Sequence, residues 1–190
     1  SLAAFDRPQI LEINFIYDFP KSPWHNSFAK TILSNWQFSD ISSFQSGAPL
    51  GVTVTTTNGE DITGSTSVAP RAVVTGNPYL PRGEKTFARY FNTIAIQLPT
   101  VGTYGNAPRL FVRGPGVNDF DLALLKNIPI SERLHLQIRC EAYNAFNHTQ
   151  FSTINSTALF NPVTRAQTNA QFGQVTAARD PRELQLAGRL

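Results

Sequence analysis

The sequence predicts an all-β chain: an antiparallel segment of a transmembrane β-barrel, about five barrel strands with long extracellular loops. Three observations predict it. Helical periodicity is scarce, whereas apolar and polar residues alternate along five segments. The links between those segments are by turns short and very long. No run of 18 or more apolar residues exists, so a crossing would have to use strands, which need only about 9–11 alternating residues each.

The first strand is expected over 8–19, where Leu11, Ile13, Phe15, Tyr17 and Phe19 share a face opposite Glu12, Asn14 and Asp18, with Ile16 the exception. A moderate link follows, with a short amphipathic helix from about Ser27 to Trp36. The second strand, 35–45, sets Trp36, Phe38 and Phe44 against Gln37, Ser39, Ser43 and Gln45, while Asp40 and Ser42 interrupt its apolar face. The third, 117–128, sets Phe120, Leu122, Leu124 and Ile128 against Asp119, Asp121 and Asn127. The fourth, 133–146, sets Leu134, Leu136, Ile138, Cys140, Ala142 and Phe146 against His135, Gln137, Arg139, Glu141 and Tyr143. Ile138, near the middle of that strand, is expected halfway up the wall. The fifth, 182–190, sets Leu184, Leu186, Gly188 and Leu190 against Glu183, Gln185 and Arg189. Lipid-facing candidates are therefore Leu11, Ile13, Phe15, Leu122, Leu124, Leu136, Ile138, Leu184 and Leu186. Lumen-facing polar candidates are Asp119, Asp121, His135, Gln137, Arg139 and Glu141.

The link lengths assign sides. Residues 129–133 make a tight turn, whereas 46–116 and 147–181 are long and rich in Gly, Thr, Asn and Pro. Loops of that length are uncommon inside compact soluble domains. Outer-membrane barrels keep short turns at the periplasmic end and long loops outside, so both long links are expected outside and 129–133 in the periplasm. A soluble extracellular β-sandwich, for adhesion or carbohydrate binding, gives the same alternation and is the competing reading. A third is an outer-membrane protein whose loops hold matrix or partner proteins without transport.

Composition narrows the function further. Charged residues make up 15% of the chain, against about 25% in ordinary soluble domains. Aromatic content of 11% and a net charge of +3 argue against intrinsic disorder. That small surplus, with no Lys/Arg run, also argues against nucleic acid as a partner. Cys140 is the single cysteine, which excludes an intramolecular disulfide. The other soft ligands are His25, His135 and His148, and His135 and Cys140 point to opposite strand faces, so no zinc site is expected. Asp119 and Asp121, about 7 Å apart on one face, have the chemistry for acid–base work or Ca²⁺. A hydrated wall is the weightier reading, with Arg139 and Glu141 on a neighbouring strand as charge partners. Asn147-His148-Thr149 and Asn155-Ser156-Thr157 match a glycosylation acceptor pattern but read as polar loop sequence, and Gly114-Pro115-Gly116 reads as a turn. No nucleophile elbow or Ser/His/Asp order is present, so no enzyme activity and no cofactor are expected. Tyr17, Phe19, Trp36, Phe38 and Phe146 lie near strand ends, where aromatic girdles belong.

Several runs carry a resemblance. They are Arg113-Gly114-Pro115-Gly116, then Asp119-Phe120-Asp121-Leu122-Ala123-Leu124-Leu125-Lys126-Asn127, then Arg139-Cys140-Glu141-Ala142-Tyr143-Asn144-Ala145-Phe146-Asn147-His148. Together they resemble the C-terminal barrel of TonB-dependent receptors, in the branch with a carboxypeptidase-regulatory-like N-terminal domain found in Acidobacteria. Trp36-Gln37-Phe38-Ser39 with Phe44-Gln45-Ser46-Gly47, Gly102-Thr103-Tyr104-Gly105-Asn106, and Phe172-Gly173-Gln174-Val175 with Ala178-Arg179-Asp180-Pro181-Arg182 fit the same pattern. The likeness spans nearly the whole chain and is weakest over 51–85. It implies a 22-stranded barrel of the bacterial outer membrane, closed by a plug, that imports siderophore-like chelates or oligosaccharides. The partners it implies are outer-membrane lipid, the TonB complex through a missing N-terminal part, and a small-molecule ligand. Plug and TonB box are not in this sequence, and five strands are too few to close a barrel when the smallest use 8. The chain is thus expected to be part of a longer protein, whose last strand continues about two residues to an aromatic end.

Overall fold

Each alternating segment forms one long strand, because a period of two puts every apolar side chain of a segment on one side of the pleat. The computed structural model describes residues 2–23, 27–65, 67–131 and 133–190, so His25 lies outside the described residues. The elements in chain order are β1 (Ile10–Asp18), α1 (Ser27–Leu33), β2 (Trp36–Gln45), β3 (Pro49–Leu50), β4 (Thr53–Thr56), β5 (Val73–Val74), β6 (Ile96–Gln97) and β7 (Val112–Arg113). They continue with β8 (Val117–Pro129), β9 (His135–Tyr143), β10 (Phe151–Ile154), β11 (Thr157–Phe160), β12 (Val175–Ala178) and β13 (Glu183–Arg189). Two single-turn 3₁₀ segments, Arg82–Glu84 and Thr93–Ala95, lie between β5 and β6. The chain is thus all-β, almost without helix.

The chain divides into two compact units. The first, the sheet unit (Gln9–Gln45, Val117–Gln150 and Asp180–Leu190), holds one antiparallel sheet in the order β1-β2-β8-β9-β13. Among the described residues neither β1 nor β13 has a partner on its outer side, so the sheet stays open and no barrel is closed. The short link between β8 and β9 is fixed by Ile130 N–H and Ser131 N–H donating to Leu134 O at 2.9 and 3.1 Å. Helix α1 ends before Asn35, whose φ of 61° turns the chain into β2. Asn tolerates that left-handed conformation better than most residues.

The second, the loop unit (Ser1–Pro8, Ser46–Gly116 and Phe151–Arg179), is built mainly from the two long links. Their composition suggested bare loops. They carry instead four two-stranded pairings, β3–β7, β5–β6, β10–β12 and the parallel β4–β11. These enclose a core in which Ile62, Phe91 and Phe160 are at most 2% exposed. The difference has a physical cause: apolar residues spaced irregularly among turns show no periodicity, yet they still collapse together when two distant links meet. Gly47 marks one tight approach, because a Cβ there would lie 1.8 Å from Gly114 O. Gly105 marks another, with φ at +76° and the carbonyl of Arg71 2.2 Å from the position a Cβ would take.

Candidate functional site: the two faces of the sheet

The register of the five strands decides what the sheet can do. Tyr17, Phe38, Leu124, Cys140 and Leu186 form one cross-strand row, and Phe15, Asp40, Leu122, Ala142 and Leu184 the next. Ile13, Ser42 and Phe120 continue the series, and Trp36, Lys126, Ile138 and Gly188 flank it at the other end. The apolar faces read from five separate segments therefore coincide on one side of one sheet. Leu11, Ile13, Phe15, Leu122, Leu124, Leu136, Ile138, Leu184 and Leu186 all share that side. A slip of one residue in any pairing would have put its apolar set on the opposite face.

This face is apolar and uncovered. Ile13 is 44% exposed, Phe15 48%, Ile138 42% and Leu186 78%. Aromatic rings gather at its two ends. Phe120 lies edge-on to both Phe44 and Phe146, at centroid distances of 5.3 and 5.0 Å. At the other end Tyr17 meets Phe19 at 5.1 Å, near Trp36. From Trp36 to Phe44 is about 26 Å along the strand, or about 20 Å along the membrane normal at a 40° tilt. That is close to the apolar band of about 25 Å on transmembrane barrels. By the same rows Ile138 falls in the cross-strand row of Trp36 and Lys126, and Leu184 in that of Leu122.

Several polar residues occupy apolar positions, and three of them, Asp40, Ser42 and Lys126, have their own arrangements. Asp40 and Ser42, 8% and 5% exposed, satisfy one another through Ser42 Oγ at 3.0 and 2.9 Å from the two carboxylate oxygens. Lys126, 5% exposed, donates Nζ–H to the carbonyls of Thr31 (2.6 Å), Ile32 (2.9 Å) and Ser34 at the end of α1. It also sits 5.1 Å from the centroid of the Trp36 ring. The lysine thus satisfies helix-end carbonyls and offsets their partial negative charge. A lysine at apolar parity opposite Trp36 was the available sequence signal for this cap.

The opposite face carries the polar candidates. Asp119, Asp121, His135, Gln137, Arg139 and Glu141 all lie on it, with Asp18, Gln37, Asn127 and Gln185. The charge partners expected for the two aspartates do not form. Arg139 pairs with Glu141 on its own strand. Asp121 Oδ1 accepts Asn144 N–H at 3.1 Å, and Asp119 Oδ1 accepts Gln150 Nε2–H at 3.1 Å. The register explains this: Arg139 stands opposite Leu125, four residues or about 13 Å along β8 from Asp121. Towards the Trp36 end, Asp18, Lys21, Asn35, Gln37, Asn127 and His135 line a cleft of about 410 Å³ together with Phe19, Trp36 and Pro129. Within it Gln37 Nε2–H donates to Asp18 Oδ1 at 2.8 Å. Cys140 is on the apolar face and His135 on the polar one. Among the described residues no group of three or more His, Cys, Asp or Glu comes together to hold a metal.

The loop unit adds a shallower cleft of about 550 Å³, bordered by Thr56, Glu60, Asp61, Ser65 and Val68. Asp61 Oδ1 accepts both Thr63 N–H and Thr63 Oγ–H at 2.8 Å. The Thr63 hydroxyl and backbone amide hold the Asp61 carboxyl below the ordinary carboxylate range.

An open antiparallel sheet, apolar on one side, polar on the other and ringed with aromatics at both ends, has the build of a transmembrane barrel wall. The family model described as "Outer membrane beta barrel domain" matches residues 1–185. The chain belongs to this family, which places it in the bacterial outer membrane. No curated protein and no solved structure matches it. No described helix is long and apolar enough to cross a membrane.

Proposed function

We propose that the chain is the C-terminal barrel part of a TonB-dependent outer-membrane receptor, importing a scarce ligand such as a siderophore-like chelate or an oligosaccharide. The observation that carries this is the coincidence of all five apolar faces on one uncovered side of the sheet, between two aromatic ends. In this reading Leu11, Ile13, Phe15, Leu122, Leu124, Leu136, Ile138, Leu184 and Leu186 face lipid. Asp119, Asp121, His135, Gln137, Arg139 and Glu141 face a watery lumen. The soluble sandwich does not fit, because a sandwich needs a second sheet to cover the apolar face.

The register supports the assignment of sides. Both long links leave from the end of the sheet where Gln45 meets Val117 and Tyr143 meets Glu183. The links 19–35 and 130–134 leave from the other end. The loop unit is the extracellular ligand-collecting surface, and the turn at 130–134 faces the periplasm. The narrower TonB-dependent reading rests on the resemblance of the runs around Arg113-Gly114-Pro115-Gly116 and Arg139–His148. The chain's role is binding and passage, without catalysis, its partners being lipid, ligand and the TonB complex.

Two measurements test this. In a Cys140→Ala background, Thr164→Cys should react with an impermeant maleimide on intact cells while Ser131→Cys should not; the reverse pattern would invert the topology. Uptake of labelled ferric chelates or oligosaccharides by cells expressing the protein should stop when TonB is removed. Uptake that continues without TonB would leave an outer-membrane barrel of another kind.

A further inference from the structure

The overall surplus of three charges conceals a separation. The loop unit holds nine Lys/Arg against four Asp/Glu, and the sheet unit seven against nine. Three of the nine lie within eight residues, at Arg82, Lys85 and Arg89. We propose that this segment of the loop unit, Arg82 to Tyr90, is a binding site for an oxyanion-bearing ligand of the phosphate class.

The segment is held in place by the rest of the unit. Thr86 N–H donates to Arg89 O at 2.9 Å, and Arg89 N–H returns to Thr86 O at 3.2 Å and to its Oγ1 at 3.1 Å. Tyr90 N–H donates to Gly173 O at 2.8 Å, and Val175 N–H to Phe87 O at 2.9 Å. Arg89 therefore closes a turn stitched to a distant stretch of chain, Lys85 directly precedes that turn, and Arg82 stands in the 3₁₀ segment just before it. Lys85 is half-buried, with Nζ 4.8 Å from the centroid of the half-buried Tyr90 ring. Among the described residues no carboxylate pairs with Lys85, Arg82 or Arg89; the ion pairs there are Arg113–Asp6 and Arg139–Glu141. Glu84, the one acid in the segment, leaves all three unpaired. Burial and the neighbouring Arg82 charge push the Lys85 ammonium below the ordinary lysine value.

A partly desolvated cation on an aromatic face, crowded by a second cation and lacking a counter-ion, is an electrostatic vacancy that an anion fills. An Arg beside a Lys matches phosphate oxygens, through a planar fork and a point charge. The site stands on the geometry of the loop unit and does not require that the protein import anything. A soluble phosphorylated compound and the phosphates of a lipopolysaccharide headgroup present the same chemistry to it.

The test uses the full chain in phospholipid vesicles, with inorganic pyrophosphate as the soluble probe and lipopolysaccharide-containing vesicles as the lipid arm. Acylation of Lys85 by an amine reagent is followed by mass spectrometry, and pyrophosphate binding by calorimetry at low and raised salt. Protection of Lys85 in either arm supports the site, and the arm that protects identifies the source. In the arm that binds, Lys85→Gln and Arg82→Gln should each weaken binding about tenfold or more, whereas Lys30→Gln should leave it unchanged. The protection readout needs no variant, so a misfolded substitution cannot obscure the answer. Absence of protection in both arms, or binding indifferent to both substitutions, overturns the proposal. TonB-dependent uptake is read separately, so failure here and failure of the import reading are distinguishable.

Discussion

Leu184→Arg offers the sharpest test of the wall. Leu184 is 69% exposed on the apolar face, in the row that also contains Phe15, Leu122 and Ala142. That row lies four residues along β2 from both Trp36 and Phe44, about 13 Å along the strand and about 10 Å in depth at a 40° tilt. An arginine there would face the hydrocarbon layer, at a cost of about 2–4 kcal/mol. This corresponds to a fall of roughly 30- to 700-fold in the folding equilibrium. Ile138→Arg, on the same face near the middle of its own strand, should likewise cost about 2–4 kcal/mol. Gln185→Arg, on the polar face one residue from Leu184, should cost little. Urea unfolding of the full chain in lipid vesicles, followed by tryptophan fluorescence, measures all three. Equal costs at 184 and 185 would refute the facing of the wall.

Ser42→Ala should destabilise by about 1–3 kcal/mol, because it orphans a buried carboxylate, whereas Asp40→Leu should be neutral or stabilising; the same unfolding assay separates them, and the opposite order would deny that Asp40 lies on a lipid-facing surface. Gly47→Ala should cost more than about 1 kcal/mol, since backbone must shift from Gly114 O, and thermal unfolding will show whether it does. The lowered pKa of Asp61 makes a pH prediction with a definite sign. Its hold on Thr63 is complete above the ordinary carboxylate value of 3.8 and lost as pH falls through the lower folded value. Amide exchange at Thr63 should therefore rise below that pH in the native protein and show no such step in Asp61→Asn.

The sheet was readable because its physics is local and periodic. Leu134, Leu136, Ile138, Cys140 and Ala142 declare a face without reference to any other strand, and neighbouring strands must match that face to share it. What alternation could not supply was vertical register. Ile138 is central in its own segment, and only the pairing shows that it stands beside Lys126, in the row of Trp36. The aspartate partners failed for the same reason: faces can be read one strand at a time, but heights along the strand cannot. The loop unit was illegible for a different one. Val54, Phe91, Phe160 and Phe172 lie up to more than a hundred residues apart and recur with no period, so their common core appears only once the two links meet. Lys126 left a faint trace, a cation where parity called for an apolar residue.

Five is an odd number, and that has a directional consequence. Antiparallel neighbours alternate in sense, so β1 and β13, the outer members of the row β1-β2-β8-β9-β13, run the same way. Two such sheets set side by side in the same orientation would meet with two strands pointing together. A closed wall that is antiparallel throughout must place an odd number of other strands between these two edges, whatever chain supplies them. Seventeen more strands would satisfy the condition and reach 22; sixteen or eighteen would leave one parallel seam.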